Sequence, residues 1–311
     1  MATDQNTFDA VLVIAFGGPE KLEDVHPFLT KVTQGRVPAE RLDRVARHYE
    51  LFGGKSPVNE ITFRQAQALK ATLKDRGTPL PVYVGMRNWH PFLEDTVQQM
   101  SRHGVERAVG VIMSVYQSKS SWDQYQDDLD NAIARTSVNI RVEYTAPLFD
   151  QPGFIEAVSN QVKHSLEQLP ASDRHATHVL FTAHSIPCSD PQVELYAKQV
   201  DGSAAFVAKK TDHTNWQRAY QSRSGRPQDP WLEPDINDVL RDLGARGVKH
   251  VVAVPIGFVS DNIEVLYDLD VEAMETAKQA GITLLRAKAV GYDQVFVNAL
   301  ADLVIKVTQS R

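Results

Sequence analysis

Two groups of side chains in this chain have the types and spacing to do chemistry. The first is Thr182-Ala183-His184-Ser185-Ile186-Pro187, where an apolar run delivers a histidine and then breaks at a proline. Imidazole has a reference pKa of about 6.5, so a histidine at a strand's C-terminal end can accept a proton at neutral pH. A histidine that merely caps a turn is the alternative. The second group is Glu264, Asp268 and Glu272, within the stretch Pro255–Glu272. At about 100° per residue, positions i, i+4 and i+8 fall within roughly 80° of one another on a helix. They form one acidic stripe, whose neighbours repel by about a few tenths of a kcal/mol per pair. No Lys or Arg lies between Asp261 and Thr276 to relieve that repulsion. A visiting divalent cation, or a proton held on one carboxylate, would relieve it. The dipole of a helix N-terminus accounts for Asp261 and Glu264 but not for Glu272. On these residues alone, a solvated acidic face and a cation path remain equal alternatives.

These groups need elements to position them. Short apolar runs occur at Ala10–Phe16, Leu80–Gly85, Ala108–Val115, Ile140–Ala146, His178–Ala183, His250–Ile256 and Thr283–Val290. Near-continuous apolarity predicts strands covered on both faces, as in a parallel sheet between helices. Between them, Phe63–Asp75, Pro152–Leu169, Val193–Lys209 and Ile236–Leu243 carry helical spacing, and Gly77 and Gly244 supply stop signals. The pattern predicts an α/β, doubly wound fold. The chain also resembles itself: Gly104–Val111 matches Gly247–Val254, and the run ending Ala15-Phe16 matches the one ending Ala183-His184. That suggests two similar Rossmann-like halves, 1–150 and 170–311, joined by a helix over 151–169, with a ligand cleft at facing strand ends. Any two βα units share some likeness, which is the alternative. The segment 187–235 is polar, and its length inside a compact domain points to function.

Composition narrows the classes. The 311 residues predict about two domains. A net charge of −6 argues against a nucleic-acid binder, which needs a basic face. The single cysteine, Cys188, cannot form an internal disulfide or a four-thiolate cluster. With a polar N-terminus and no run of about 18 apolar residues, a cytoplasmic protein without a transmembrane segment is expected. Gly53-Gly54-Lys55-Ser56 is not a phosphate loop, because Tyr49 stands where the first glycine is needed and Pro57 follows. Phe16-Gly17-Gly18-Pro19 lacks the third glycine of a dinucleotide fingerprint. Neither a Gly-x-Ser-x-Gly elbow nor a His-Glu-x-x-His box occurs.

At this point the chain resembles the ferrochelatases, which insert ferrous iron into a porphyrin. The resemblance rests on Phe16-Gly17-Gly18-Pro19-Glu20, Phe52–Pro57, Gly85–Phe92, Ala183–Pro187, Gln221-Ser222-Arg223, Pro230–Asp235 and the block 255–273, in family order over nearly the full length. It implies a chelatase-like pair of halves with the porphyrin between them, working as a monomer. It implies His184 as the active-site histidine and Glu264 as its partner, both catalytic and both metal contacts. Asp268 and Glu272 become further metal contacts on a line leading away. Phe16, Tyr49, Ser56, Met86, Arg87, Tyr125 and Trp231 become substrate-binding residues, with Met86 and Trp231 as pocket wall. Iron and porphyrin are substrates, and no resident cofactor or iron–sulfur cluster is implied. A transient contact with a downstream haem-pathway enzyme is also implied.

Within the family, Gly110–Tyr125 and Arg87-Asn88-Trp89 resemble the bacterial coproporphyrin-type enzymes. Glu20–Gln34 is mixed and charged, unlike the apolar lip of the protoporphyrin type. A ring with four propionates needs polar and cationic contacts, for which Arg36, Arg47, His48, Tyr49, Ser56 and Tyr125 are candidates. Arg36 and Arg47 are equally well ordinary surface residues. Two positions depart from the pattern: Phe16 replaces an iron-ligating tyrosine and Asn88 replaces a histidine. The competing classes are a protoporphyrin IX ferrochelatase, a chelatase for another metal and tetrapyrrole, and a haem-binding protein without chemistry. The last would not need the acidic stripe.

Overall fold

The structure, a computed structural model, describes residues 7–35, 37–224, 226 and 228–310. Arg36, and Gly225 and Pro227 of the polar segment, lie outside the described residues. The chain divides into two compact units, one of Met1–Met113, Trp122–Ala146 and Phe296–Arg311, the other of Ser114–Ser121 and Pro147–Val295.

The first unit holds β1 (Ala10–Ala15), β2 (Val82–Met86), β3 (Arg107–Ile112) and β4 (Arg141–Tyr144), in the order β2-β1-β3-β4. The second holds β5 (His178–His184), β6 (Trp216–Gln221), β7 (His250–Val254) and β8 (Thr283–Arg286), in the order β6-β5-β7-β8. All pairings are parallel, so the strands require crossover helices. β1 is buried along its whole length because helices cover both faces. On one face Leu12 and Ile14 pack with Leu93, Val97 and Met100 of the helix Leu93–Arg102. In the second unit Leu180, Val251 and Ala253 pack with Val239, Leu240 and Leu243 of the helix Ile236–Ala245.

Both sheets have one topology, and the internal likeness is therefore structural rather than a coincidence of βα units. Ala10 of β1 pairs with Ala108, and His178 of β5 pairs with Val251. Ala108 and Val251 are equivalent in the repeated Gly104 and Gly247 segments. Counting the same distance along each first strand makes Phe16 and His184 equivalent positions.

The structure departs from the sequence expectation in two places. β6 lies within the polar segment 187–235 and was not expected as a strand. It is an edge strand, half-exposed over its first three residues, so it carries Gln217 and Arg218 instead of an apolar run. The units also cross over in sequence, whereas 1–150 and 170–311 are contiguous. The C-terminal helix Gln294–Gln309 belongs mostly with the first unit. There Arg76 donates to the Asn298 carbonyl at 3.2 Å and pairs with Asp302. The helix Pro152–Glu167 belongs wholly to the second unit.

Asn59, 2% exposed, fixes the loop after β1. Its Oδ1 accepts the Gly18 N–H at 2.8 Å, and its Nδ2 donates to the Gly18 carbonyl at 2.8 Å. Asn59→Ala orphans both groups, at a cost of about 1–3 kcal/mol for each buried group left unpaired. The denaturant midpoint should fall accordingly, and an unchanged midpoint would contradict this role.

Candidate active site

His184 ends β5, where the sheet stops supporting the chain. Its backbone is held from three sides. Tyr196 donates its hydroxyl hydrogen to the His184 carbonyl at 2.8 Å. The Ser185 N–H donates to Gln221 at the end of β6, at 2.8 Å, and the Ser185 hydroxyl donates to the Leu232 carbonyl at 2.8 Å. From β7, the Gly257 N–H reaches the Thr182 carbonyl at 3.1 Å. A Cβ on Gly257 would lie 2.9 Å from the Ala183 Cα, so glycine is needed for this approach. The Trp231 ring lies 6.5 Å from the imidazole, centroid to centroid.

The imidazole is oriented by its neighbour. Nδ1 lies 2.5 Å from the Ser185 carbonyl oxygen. A carbonyl only accepts, so Nδ1 carries the hydrogen and, in the neutral ring, Nε2 keeps its lone pair. Nε2 lies 3.9 Å from Glu264 Oε2. The ring can therefore take a proton on Nε2 and meet a carboxylate charge when it does.

Glu264 occupies the first turn of a short helix, Ile263–Tyr267, capped by the Asn262 side chain, which accepts the Val265 N–H at 2.9 Å. The acidic stretch is not one α-helix. It passes into a π-helical turn at Asp268–Ala273 and returns to α at Met274–Gln279. In an α-helix the step Asp268→Glu272 overshoots one revolution by about 40°. A π turn takes more residues per revolution, so the angle between the two carboxylates differs from its α value. One residue on, Val265, Leu269, Ala273 and Ala277 form a parallel, fully buried stripe. Burying a single Val or Leu contributes about 1.5–3 kcal/mol, which outweighs about a few tenths per repelling carboxylate pair. The apolar stripe therefore dictates where the acids point.

Asp268 is half-buried. Ser222, with a left-handed φ of 62°, donates its hydroxyl to Asp268, and Gln221 Nε2 approaches at 3.4 Å. Burial pushes the Asp268 carboxyl up to about 7, against the Ser222 hydrogen bond, with Glu264 and Glu272 adding to the rise. Burial, then the Asp235 charge, also raises Glu272. Among the described residues, no cation other than His184 pairs with Glu264, Asp268 or Glu272, and no three His, Cys, Asp or Glu converge as a metal cage.

The other candidates lie in the first unit. Phe16 is 38% exposed, its ring edge-on to Phe28 at 6.3 Å. Phe28 also touches Tyr49 and Trp89, at 6.0 and 6.2 Å. Arg87 stacks over Tyr125 at 4.4 Å and reaches Phe16 at 5.8 Å, while its Nε donates to Asp128 at 2.6 Å. Asn88 donates its backbone N–H to the Phe16 carbonyl at 3.0 Å. Tyr49, Ser56 and Tyr125 are buried. Met86 is fully buried, and a Cβ on Gly17 would fall 3.1 Å from its Cβ. Met86 thus backs the loop carrying Phe16 and presents no wall of its own. Tyr196, Ser222, Asn59 and Asp128 are not recognisable as site residues from sequence. Only Ser222 has a signal there, as part of Gln221-Ser222-Arg223.

Comparison with known proteins places nearly the whole chain in a family. The ferrochelatase profile matches residues 8–308. The coproporphyrin III ferrochelatases of Nocardia farcinica and Mycobacteroides abscessus are each 43% identical, over 95% and 98% of this chain and 87% and 90% of theirs. That of Streptomyces coelicolor is 41% identical over 97% of this chain and 86% of its own. Among solved structures, SirB from Bacillus subtilis with Fe3+ aligns at a TM-score of 0.61 and 12% identity, covering 96% and 95% of the two chains. CbiX, the terminal enzyme of sirohaem biosynthesis in denitrifying bacteria, aligns at 0.57 and 13%, covering 97% and 100%. At those identities the likeness establishes the chelatase fold.

The raised Asp268 carboxyl has a measurable consequence. Between 3.8 and about 7 the folded protein keeps a proton that the unfolded chain has released. The folded state binds more protons there, so this group's contribution to stability falls as pH rises. Asp268→Asn does not titrate, so its melting temperature should gain on the wild type from about pH 4 to pH 7. A gap independent of pH would contradict the assignment.

Proposed function

The chain belongs to the ferrochelatase family, and from that premise we propose that it inserts Fe2+ into coproporphyrin III to give coprohaem for haem biosynthesis. The observation that carries the catalytic assignment is His184 Nε2, 3.9 Å from Glu264 at the head of an acidic line that, among the described residues, meets no other cation. Metallation removes two pyrrole protons as iron sheds water and enters. His184 accepts one of the two on Nε2, where Glu264 stabilises the imidazolium that results, and the other passes to water along the carboxylate line. Asp268 and Glu272 continue a file of hard oxygens that a hydrated Fe2+, or a departing proton, can follow. Trp231 lies beside the imidazole as an aromatic wall. Phe16, Tyr49, Ser56, Arg87 and Tyr125 contact the porphyrin, with the hydroxyls and the guanidinium suited to propionates. Phe16 has no ligating oxygen, so coprohaem has one fewer protein ligand than in a relative with tyrosine there.

The relatives' names and the charged stretch Glu20–Gln34 support the four-propionate ring. We further propose a cytoplasmic monomer that hands coprohaem to the next enzyme; no described helix is long and apolar enough to cross a membrane. A lone Cys188 supports activity without an iron–sulfur cluster or other resident cofactor.

An anaerobic Fe2+ insertion assay comparing coproporphyrin III with protoporphyrin IX tests the substrate, and a preference for the two-propionate ring would overturn it. In the same assay His184→Ala and Glu264→Gln should each bind coproporphyrin yet lose about 10²–10⁴-fold in insertion rate. Wild-type rates in both variants would contradict the roles of proton acceptor and charge partner.

A further inference from the structure

The block from Asp261 to Glu272 carries five carboxylates and no cation of its own. The structure divides them into two sets. Asp261 and Asp270 meet Arg286, which ends β8 and has a side chain only 12% exposed. Arg286 Nε and Nη2 donate to Asp270 Oδ1 and Oδ2 at 2.7 and 3.0 Å, a parallel two-bond fork. Nη1 donates to Asp261 Oδ1 at 3.0 Å, and that oxygen also accepts the Ala289 N–H at 3.2 Å. Glu264, Asp268 and Glu272 receive no such cation from β8.

The two anchored acids stand at telling places. Asp261 immediately precedes the cap residue Asn262, upstream of Glu264, and Asp270 lies inside the π turn, between Asp268 and Glu272. One planar guanidinium therefore grips the acid-bearing segment at its start and again within the π turn, from a strand whose position the sheet fixes. A π turn is a rare, single-turn departure from α geometry, and such turns need something to hold them. Relaxation to α would rotate Glu272 relative to Asp268 around the helix axis.

We infer that Arg286 is a positioning residue for iron delivery: by holding Asp261 and Asp270 it holds the π turn, and so fixes how Glu264, Asp268 and Glu272 are placed while leaving them no cation from β8. This rests on the iron-insertion reading above. A lysine keeps the charge but has no planar fork to hold two carboxylates, so Arg286→Lys separates geometry from charge balance.

The test is steady-state insertion into coproporphyrin III with each substrate varied in turn, after a thermal melt establishes folding. Arg286→Lys should lose about tenfold or more in kcat/KM for Fe2+, with KM for coproporphyrin held within about twofold. Unchanged iron kinetics, or an equal loss of porphyrin affinity, would overturn the inference. Should Arg286→Lys fail to fold, Asp270→Asn decides by the same two criteria. A wild-type protein that inserts no iron would overturn the functional reading itself, and this inference with it. An active wild type with unaffected variants would overturn this inference alone.

Discussion

His184 Nδ1 and the carbonyl of the next residue, Ser185, meet at 2.5 Å, and the chemistry of the site depends on that contact. It leaves the proton-accepting lone pair on Nε2, the nitrogen facing Glu264. The contact exists because β5 has ended: a strand residue would commit its neighbour's carbonyl to the ladder, whereas the chain here turns toward Pro187. The turn is tolerated because Tyr196, Gln221 and Leu232 take up the local backbone groups. The buried strand, the edge strand beside it and the polar segment after it thus all set one ring nitrogen.

The acidic line is arranged by a larger energy than its own. Carboxylates at helical spacing repel weakly, while the adjacent buried stripe of Val265, Leu269, Ala273 and Ala277 contributes several times more. Packing can therefore hold three acids in a row that electrostatics alone would spread apart. Burial, with the Glu264 and Glu272 charges adding to it, raises the Asp268 carboxyl to about 7. A group poised near neutrality can release or take a proton without a large change in conditions.

Much of this is legible in the sequence. His184 and the i, i+4, i+8 acids are visible as residue types at a spacing, and the parallel sheets as apolar runs. The repeat of Gly104–Val111 in Gly247–Val254 locates corresponding strands, and the shared register makes Phe16 the counterpart of His184. What escapes depends on partners distant in sequence. Arg286 is an ordinary arginine until β8 brings it to Asp261 and Asp270. Asn59 is an ordinary asparagine until it meets Gly18. The absence of Lys and Arg in the acidic block suggests uniform excess charge, whereas β8 supplies a cation to two of the five acids. β6 is hidden because an edge strand can be polar, and the π turn because its acids keep the i, i+4 spacing of an α-helix. Met86 shows the opposite failure, since its place in a motif suggests a wall and its burial makes it a support.

The central claim is that the resting imidazole offers Nε2, and it can be read directly. Two-dimensional ¹⁵N–¹H correlation spectra of histidine-labelled protein, at a pH where the His184 ring is neutral, report which ring nitrogen bears the hydrogen. The signals are assigned by their loss in His184→Ala. A protonated Nδ1 and a lone-pair Nε2 are predicted. A hydrogen on Nε2 would contradict the claim, because the nitrogen beside Glu264 would then have no lone pair to accept a proton.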